Sequence, residues 1–262
     1  MQPLRLCLAA LLAAASLGAH AIGNHADITI FDRATGRELP VYWHEGRAYV
    51  VGRPGNEYQV GVRNRRGEDV LAVVSVDGVN VVSGETANVR QGGYVVSAWQ
   101  RMDIRGWRKS LGETAAFYFT SLGDSYAART GRPNDVGVIG VALFRRKVEP
   151  PPAVSVAPDA QEPFRDSRRE KSADSNAAGR TEEARAQSPA AAAQSAPLGT
   201  GHGRREESRA QWVGFERASD SPAEVIAIHY DSYRNLVARG VLAAPVAPRH
   251  PNPFPGFVPD PA

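Results

Sequence analysis

Apolar residues recur with a period of two over short runs in the first half of this chain: Ile28 and Ile30 in one run, Tyr58, Val60 and Val62 in another. That alternation predicts strands with one face buried and one face wet. Ala116-Phe117-Tyr118-Phe119 and the stretch from Val136 to Phe144 are apolar almost without a break, which predicts strands buried more deeply. Between Val70 and Gly84 two β-branched runs flank Asp77-Gly78, the dipeptide best suited to the positive φ angles of a two-residue hairpin turn. Turn residues punctuate the rest at Ala34-Thr35-Gly36, His44-Glu45-Gly46, Arg66-Gly67 and Gly92-Gly93. Roughly eight or nine short strands with no long helical pattern predict an all-β domain, a β-sandwich or jelly roll, over residues 24–148. One helix-like piece, Ser125 to Arg129, is closed by Gly131 and Pro133.

The pattern then stops. Residues 149–197 hold almost no large apolar side chain beyond Phe164 and are rich in Ala, Ser, Pro and charge, so they predict a disordered linker. Residues 198–243 resume with the glycine-rich run Leu198-Gly199-Thr200-Gly201-His202-Gly203-Arg204-Arg205-Glu206, read as a loop. A strand around Trp212 to Arg217, a turn at Asp220-Ser221-Pro222 and a strand from Glu224 to Tyr230 follow. Asp231 or Ser232 can cap a brief helix that Gly240 ends. A β-hairpin plus helix this small cannot bury a core alone and is expected to dock on the sandwich or on another chain. Seven prolines from Pro245 to Pro261 predict a disordered tail over 244–262.

At the other end, Arg5, the apolar stretch Leu6–Leu17 and the small residues of Ala19-His20-Ala21 have the form of a secretory signal peptide over residues 1–21. Export to the periplasm or medium is expected, with a mature chain starting near Ile22. The single cysteine, Cys7, lies inside that segment, so stability must come from a core and not from disulfides. No later run has the apolar length of a membrane helix. Residues 24–148 carry 17 basic against 13 acidic residues, an excess too small to imply nucleic acid. Only Lys109, Lys147 and Lys171 among the basic residues are lysines.

Candidate chemistry is sparse. The Gly199–Arg205 run offers backbone N–H groups followed by Arg204 and Arg205, which could hold a phosphate or carboxylate; its other reading is a tight turn with His202 packed on the sandwich. A dinucleotide fingerprint needs a strand before it and a long helix after it, which this context lacks. Trp43, Trp99 and Trp107 with Tyr42, Tyr94 and Tyr126 could form an aromatic face for a sugar, although a sandwich commonly buries one tryptophan. Asp77 and Asn80 lack the repeated oxygen ligands of a calcium loop, and the histidines lack zinc spacing, so no metal or cofactor is expected. No Gly-x-Ser-x-Gly elbow occurs, and no pair of carboxylates stands out. The ligand-binding candidates are therefore His202, Arg204, Arg205, Trp107, Arg108 and Tyr126. His229, out of phase with Ile226, Ile228 and Tyr230, is expected to point outward.

The strings Val74–Gly84, Ile104-Arg105-Gly106-Trp107-Arg108, Asn134–Phe144, Gly199-Thr200-Gly201-His202-Gly203 and Phe215-Glu216-Arg217-Ala218-Ser219 resemble an uncharacterised group of exported bacterial proteins. The resemblance covers the first and third parts and skips the linker. It implies that the glycine-histidine run and final unit belong with the sandwich, and it implies no activity. The expectation is an exported, non-catalytic binding or structural module of the cell envelope, its partner a polysaccharide or another envelope protein. The alternatives are a hydrolase-like enzyme acting on envelope polysaccharide, and an assembly subunit that pairs with its neighbour by strand addition.

Overall fold

The computed structural model describes residues 21–148 and 196–244. The expected signal peptide, linker and proline-rich tail lie, apart from their boundary residues, outside the described residues. All described residues except Val148 belong to one unit.

In chain order the strands are β1 (Ala21–Ile22), β2 (Ala26–Asp32), β3 (Arg37–Glu38), β4 (Tyr42–His44), β5 (Arg47–Val51), β6 (Glu57–Asn64), β7 (Val70–Val76) and β8 (Val79–Asn80). They continue with β9 (Tyr94–Val96), β10 (Arg101–Ile104), β11 (Gly106–Arg108), β12 (Glu113–Ser121), β13 (Val138–Arg145), β14 (Leu198–Glu207) and β15 (Glu224–Asp231). Two short helices, α1 (Tyr126–Arg129) and α2 (Tyr233–Ala238), complete the described elements apart from 3-10 turns. The strands form two sheets, as the all-β sandwich expectation requires. The first runs β1-β2-β6-β12-β11, with β3 on β2, β10 on β6 and β14 on β12. The second runs β4-β5-β15-β13-β7-β8, with β9 on β7.

Alternating side chains of both sheets meet in one core, among them Ile28, Ile30, Val60, Val62, Phe117 and Phe119 from the first and Val50, Val74, Ile139, Val141, Ile228 and Tyr230 from the second. Val73, Leu71, Ala142 and Phe144 point the other way and are covered by Val95 and Phe215, which is why β7 and β13 read as unbroken apolar runs. The Asp77-Gly78 turn forms as expected: Val76 pairs with Val79, and both turn residues have positive φ, 52° and 70°.

The third part departs from expectation in three ways. The glycine-rich run is no loop: it is β14, a ten-residue strand paired along β12 from Ser121↔Leu198 to Glu113↔Glu207. Its glycines make room rather than bend, and a Cβ on Gly201 would lie 2.2 Å from the Tyr118 ring. Trp212–Arg217 is no strand; Trp212 is 83% exposed and only Arg217 bridges, to Arg146. Nor is there a hairpin with the strand from Glu224, because Trp212–Arg217 supplies no strand to pair with it. β15 lies between β13, antiparallel, and β5, parallel, so it is an interior strand and not an add-on. Ile228 and Tyr230 on one face are buried in the core, while Val225 on the other is 62% exposed.

Helix boundaries follow the caps. The Ser125 hydroxyl accepts from the Ala128 N–H at 3.2 Å and starts α1, the Ser232 hydroxyl accepts from the Asn235 N–H at 3.3 Å and starts α2, and Gly240 (φ 73°) follows α2.

Candidate binding face at the end of the first sheet

β11, β12 and β14 lie side by side, and their register aligns Trp107, Ala115 and Arg205, with Phe117 opposite His202 one step further. Alternation places these residues on one face of the sheet. Between Ala115 and Phe117 the pairing shifts, so that Gly203 and Arg204 oppose Ala116 alone. This bulge reverses the alternation of β14 and brings Arg205, in place of Arg204, to the His202 side.

A ladder of rings crosses that face. Trp107, fully buried, donates from Nε1 to the Gly201 carbonyl at 3.3 Å and meets Phe117 edge-on at 5.1 Å. Tyr126, brought over the sheet by the Ser125 cap, lies 4.8 Å from Trp107, and His202 lies 5.5 Å from Tyr126. The Lys109 ammonium stands 5.3 Å from the Tyr126 ring centre. The ladder thus passes from core to solvent, ending in a half-buried tyrosine and an exposed histidine.

Cations surround its outer end. Arg205 is held by Glu113 at 3.0 Å, while Lys109 and Arg129 have no carboxylate partner among the described residues. Burial, then the charges of Lys109, Arg205 and Arg129, push the His202 imidazole below its ordinary pKa. Burial and the nearby Arg205 push the Lys109 ammonium down as well. The face is a positively charged surface with a stacking platform, suited to an anion that carries a flat or ring-shaped body.

Of the residues nominated from sequence, Trp107, Tyr126, His202 and Arg205 come together here. Trp107 serves as the buried foot of the ladder and not as a contact surface. Arg204 is not part of the face: it points to the opposite side and grips Glu57 at 2.8 and 3.0 Å, with Arg33 and Glu206 in the same network. That hydrogen bond from Arg204, opposed by burial, holds the Glu57 carboxyl below its ordinary range. Arg108 is also engaged elsewhere, donating to the Tyr94 hydroxyl at 3.1 Å and to the carbonyl and hydroxyl of Ser208 at 2.5 and 3.1 Å. Trp43 and Trp99 are exposed but lie on β4 and in the β9–β10 connection, so the three tryptophans form no common platform. Lys109 and Arg129 were missed by sequence reasoning. For Lys109 a signal existed, since two-residue alternation from Trp107 puts it on the same face.

No protein-family model matches the chain, and the comparisons with curated proteins and with solved structures found no match. Among the described residues no helix is long and apolar enough to cross a membrane, and no group of histidine, cysteine or carboxylate side chains is arranged to hold a metal ion.

Proposed function

We propose that this chain is an exported, non-catalytic binding module whose ligand is an acidic polysaccharide of the cell envelope. The observation that supports the reading is the pair of cations without a carboxylate partner among the described residues, Lys109 and Arg129, set beside Arg205 around the Tyr126–His202 platform. Sugar rings stack on such a platform while carboxylates along the glycan meet the cations. The export element of the proposal rests on the charge, apolar length and small-residue ending of residues 1–21.

A uronic-acid oligosaccharide titrated into the protein at low salt is expected to bind saturably and to weaken as salt is raised. Lys109→Ala combined with Arg205→Ala should reduce affinity at least about tenfold, the loss of two charge-assisted contacts. Bound anions return the His202 pKa upward, so affinity should rise as pH falls toward 6 and His202→Gln should abolish that rise. Equal affinity of the double variant and the parent would overturn the reading.

A further inference from the structure

The C-terminal end of β15, the start of β14 and α2 enclose a cavity of about 340 Å³ that is separate from the basic face. His229 and Asp231 reach it from β15, Asn235 and Arg239 from α2, and Leu198 and Val136 supply apolar wall. Its volume lies at the small end of ligand pockets, the size of one sugar ring and not of a chain.

The polar groups are preset. Asp231 is nine-tenths buried at its side chain. Its Oδ1 is fully committed, accepting from the Leu198 N–H at 3.3 Å, the Ser232 N–H at 2.7 Å and Asn235 Nδ2 at 2.8 Å. Its Oδ2 accepts no hydrogen bond among the described residues; its charged neighbour is Arg239 Nη1 at 3.8 Å, too far for a direct bond. Arg239 lies against the Tyr49 ring, 5.3 Å from its guanidinium carbon to the ring centre, and the His229 ring packs on the same tyrosine at 5.3 Å, tilted by 33°. Burial, with Arg47 and Arg239 adding to it, lowers the His229 pKa, leaving a neutral imidazole that both donates and accepts.

Among the described residues Asp231 Oδ2 has no hydrogen-bond donor and Arg239, its ion-pair neighbour at 3.8 Å, has no hydrogen-bond acceptor, an arrangement that suits a ligand supplying both. A simple anion would meet Asp231, and a simple cation would meet Arg239. Neighbouring hydroxyls do both tasks, one donating to Asp231 Oδ2 and the next accepting from Arg239. We infer that this cavity is a binding site for a single neutral sugar ring, with Asp231 and Arg239 bracketing adjacent hydroxyls and His229 forming the side wall.

The test is an amide NMR titration of the full-length protein with methyl glucoside, methyl mannoside and N-acetylglucosamine, and with glycine as a zwitterionic comparator. At least one sugar should give saturable shifts at the amides of Leu198, Tyr230 and Asn235, with a dissociation constant of roughly 1–10 mM. Arg239→Ala and His229→Ala should each weaken that binding about tenfold or more, while Lys109→Ala leaves it unchanged and so separates this site from the basic face. Asp231→Asn should also abolish binding, but because Asp231 anchors three donors, the two other variants carry the decision. No saturable shift with any sugar, shifts indifferent to both variants, or saturation by glycine in place of sugar would each overturn the inference.

Discussion

Asp77 is a turn residue with a second task. Its positive φ shapes the hairpin between β7 and β8, while its side chain is wholly buried and reaches both returning strands. Oδ1 accepts from the Gly137 N–H at 2.9 Å and from the Tyr230 hydroxyl, and Oδ2 accepts from the Thr200 N–H at 2.7 Å. Thr200 Oγ1 joins Tyr230 at 2.7 Å and Tyr58 at 2.6 Å, each contact able to run in either direction. The chain of hydroxyls can therefore reverse: it points toward Asp77 when the carboxylate is ionised and away from it when the carboxyl is protonated. Burial, only partly opposed by the hydrogen bonds, raises the Asp77 pKa from 3.8 to about 6. A carboxyl raised in the folded state stabilises most below its unfolded pKa, and that contribution is lost as pH rises through the folded value. Between about pH 5 and 7.5 the loss amounts to roughly 1–1.5 kcal/mol. Asp77→Asn lacks the titration and one acceptor, so it should be less stable by about 1–3 kcal/mol. Its thermal unfolding should also lack this share of the parent's pH dependence; parallel profiles for the two proteins would show that Asp77 is not the titrating group.

At the scale of elements, β15 has the larger consequences. Ile228 is buried between Ile139 of β13 and Ala48 of β5, and a charge there has no partner. Ile228→Asp should cost about 3–5 kcal/mol and lower the melting temperature of the whole protein by some 10 °C, on the order of a few degrees per kcal/mol. Calorimetry that shows one shifted transition would support this; an unchanged transition would refute it. The hairpin at Asp77-Gly78 and the two short helices, one near Ser125 to Arg129 and one capped by Asp231 or Ser232, were legible because each rests on a local rule that the chain obeys locally. β14 was not, because Gly199, Gly201 and Gly203 score as loop by intrinsic preference and become strand only through pairing with β12. Trp212 failed in the opposite sense: an aromatic residue with strand propensity finds no second strand beside it. The basic face was half legible. Trp107, Tyr126, His202 and Arg205 could be nominated by type, but the bulge that separates Arg205 from Arg204 depends on a register that one strand's sequence does not contain.

At the scale of the molecule, the contacts that close the sandwich link residues far apart in sequence: Asp77 with Tyr230, Phe117 with His202, and the Glu224 carboxylate with the backbone of Asn24 and His25. Without residues 196–244 the second sheet loses the strand that joins β5 to β13, leaving two open edges. Residues 24–148 made alone are therefore expected to aggregate or to melt well below the full protein, as light scattering and circular dichroism would reveal. A fragment that melts like the intact chain would refute this.

The last described strand, β15, is thus a keystone of the second sheet, and the covalent path from Val148 to Pro197 should be dispensable once the keystone is seated. Severing that path in the folded protein should yield a two-chain particle whose halves travel together through gel filtration and separate only under denaturant, because eight strand residues of β15, ten of β14 and the Asp77 anchor hold them. Remade from separate halves, the same particle should assemble at a rate set by concentration, since the tether then no longer supplies the local excess of one half around the other.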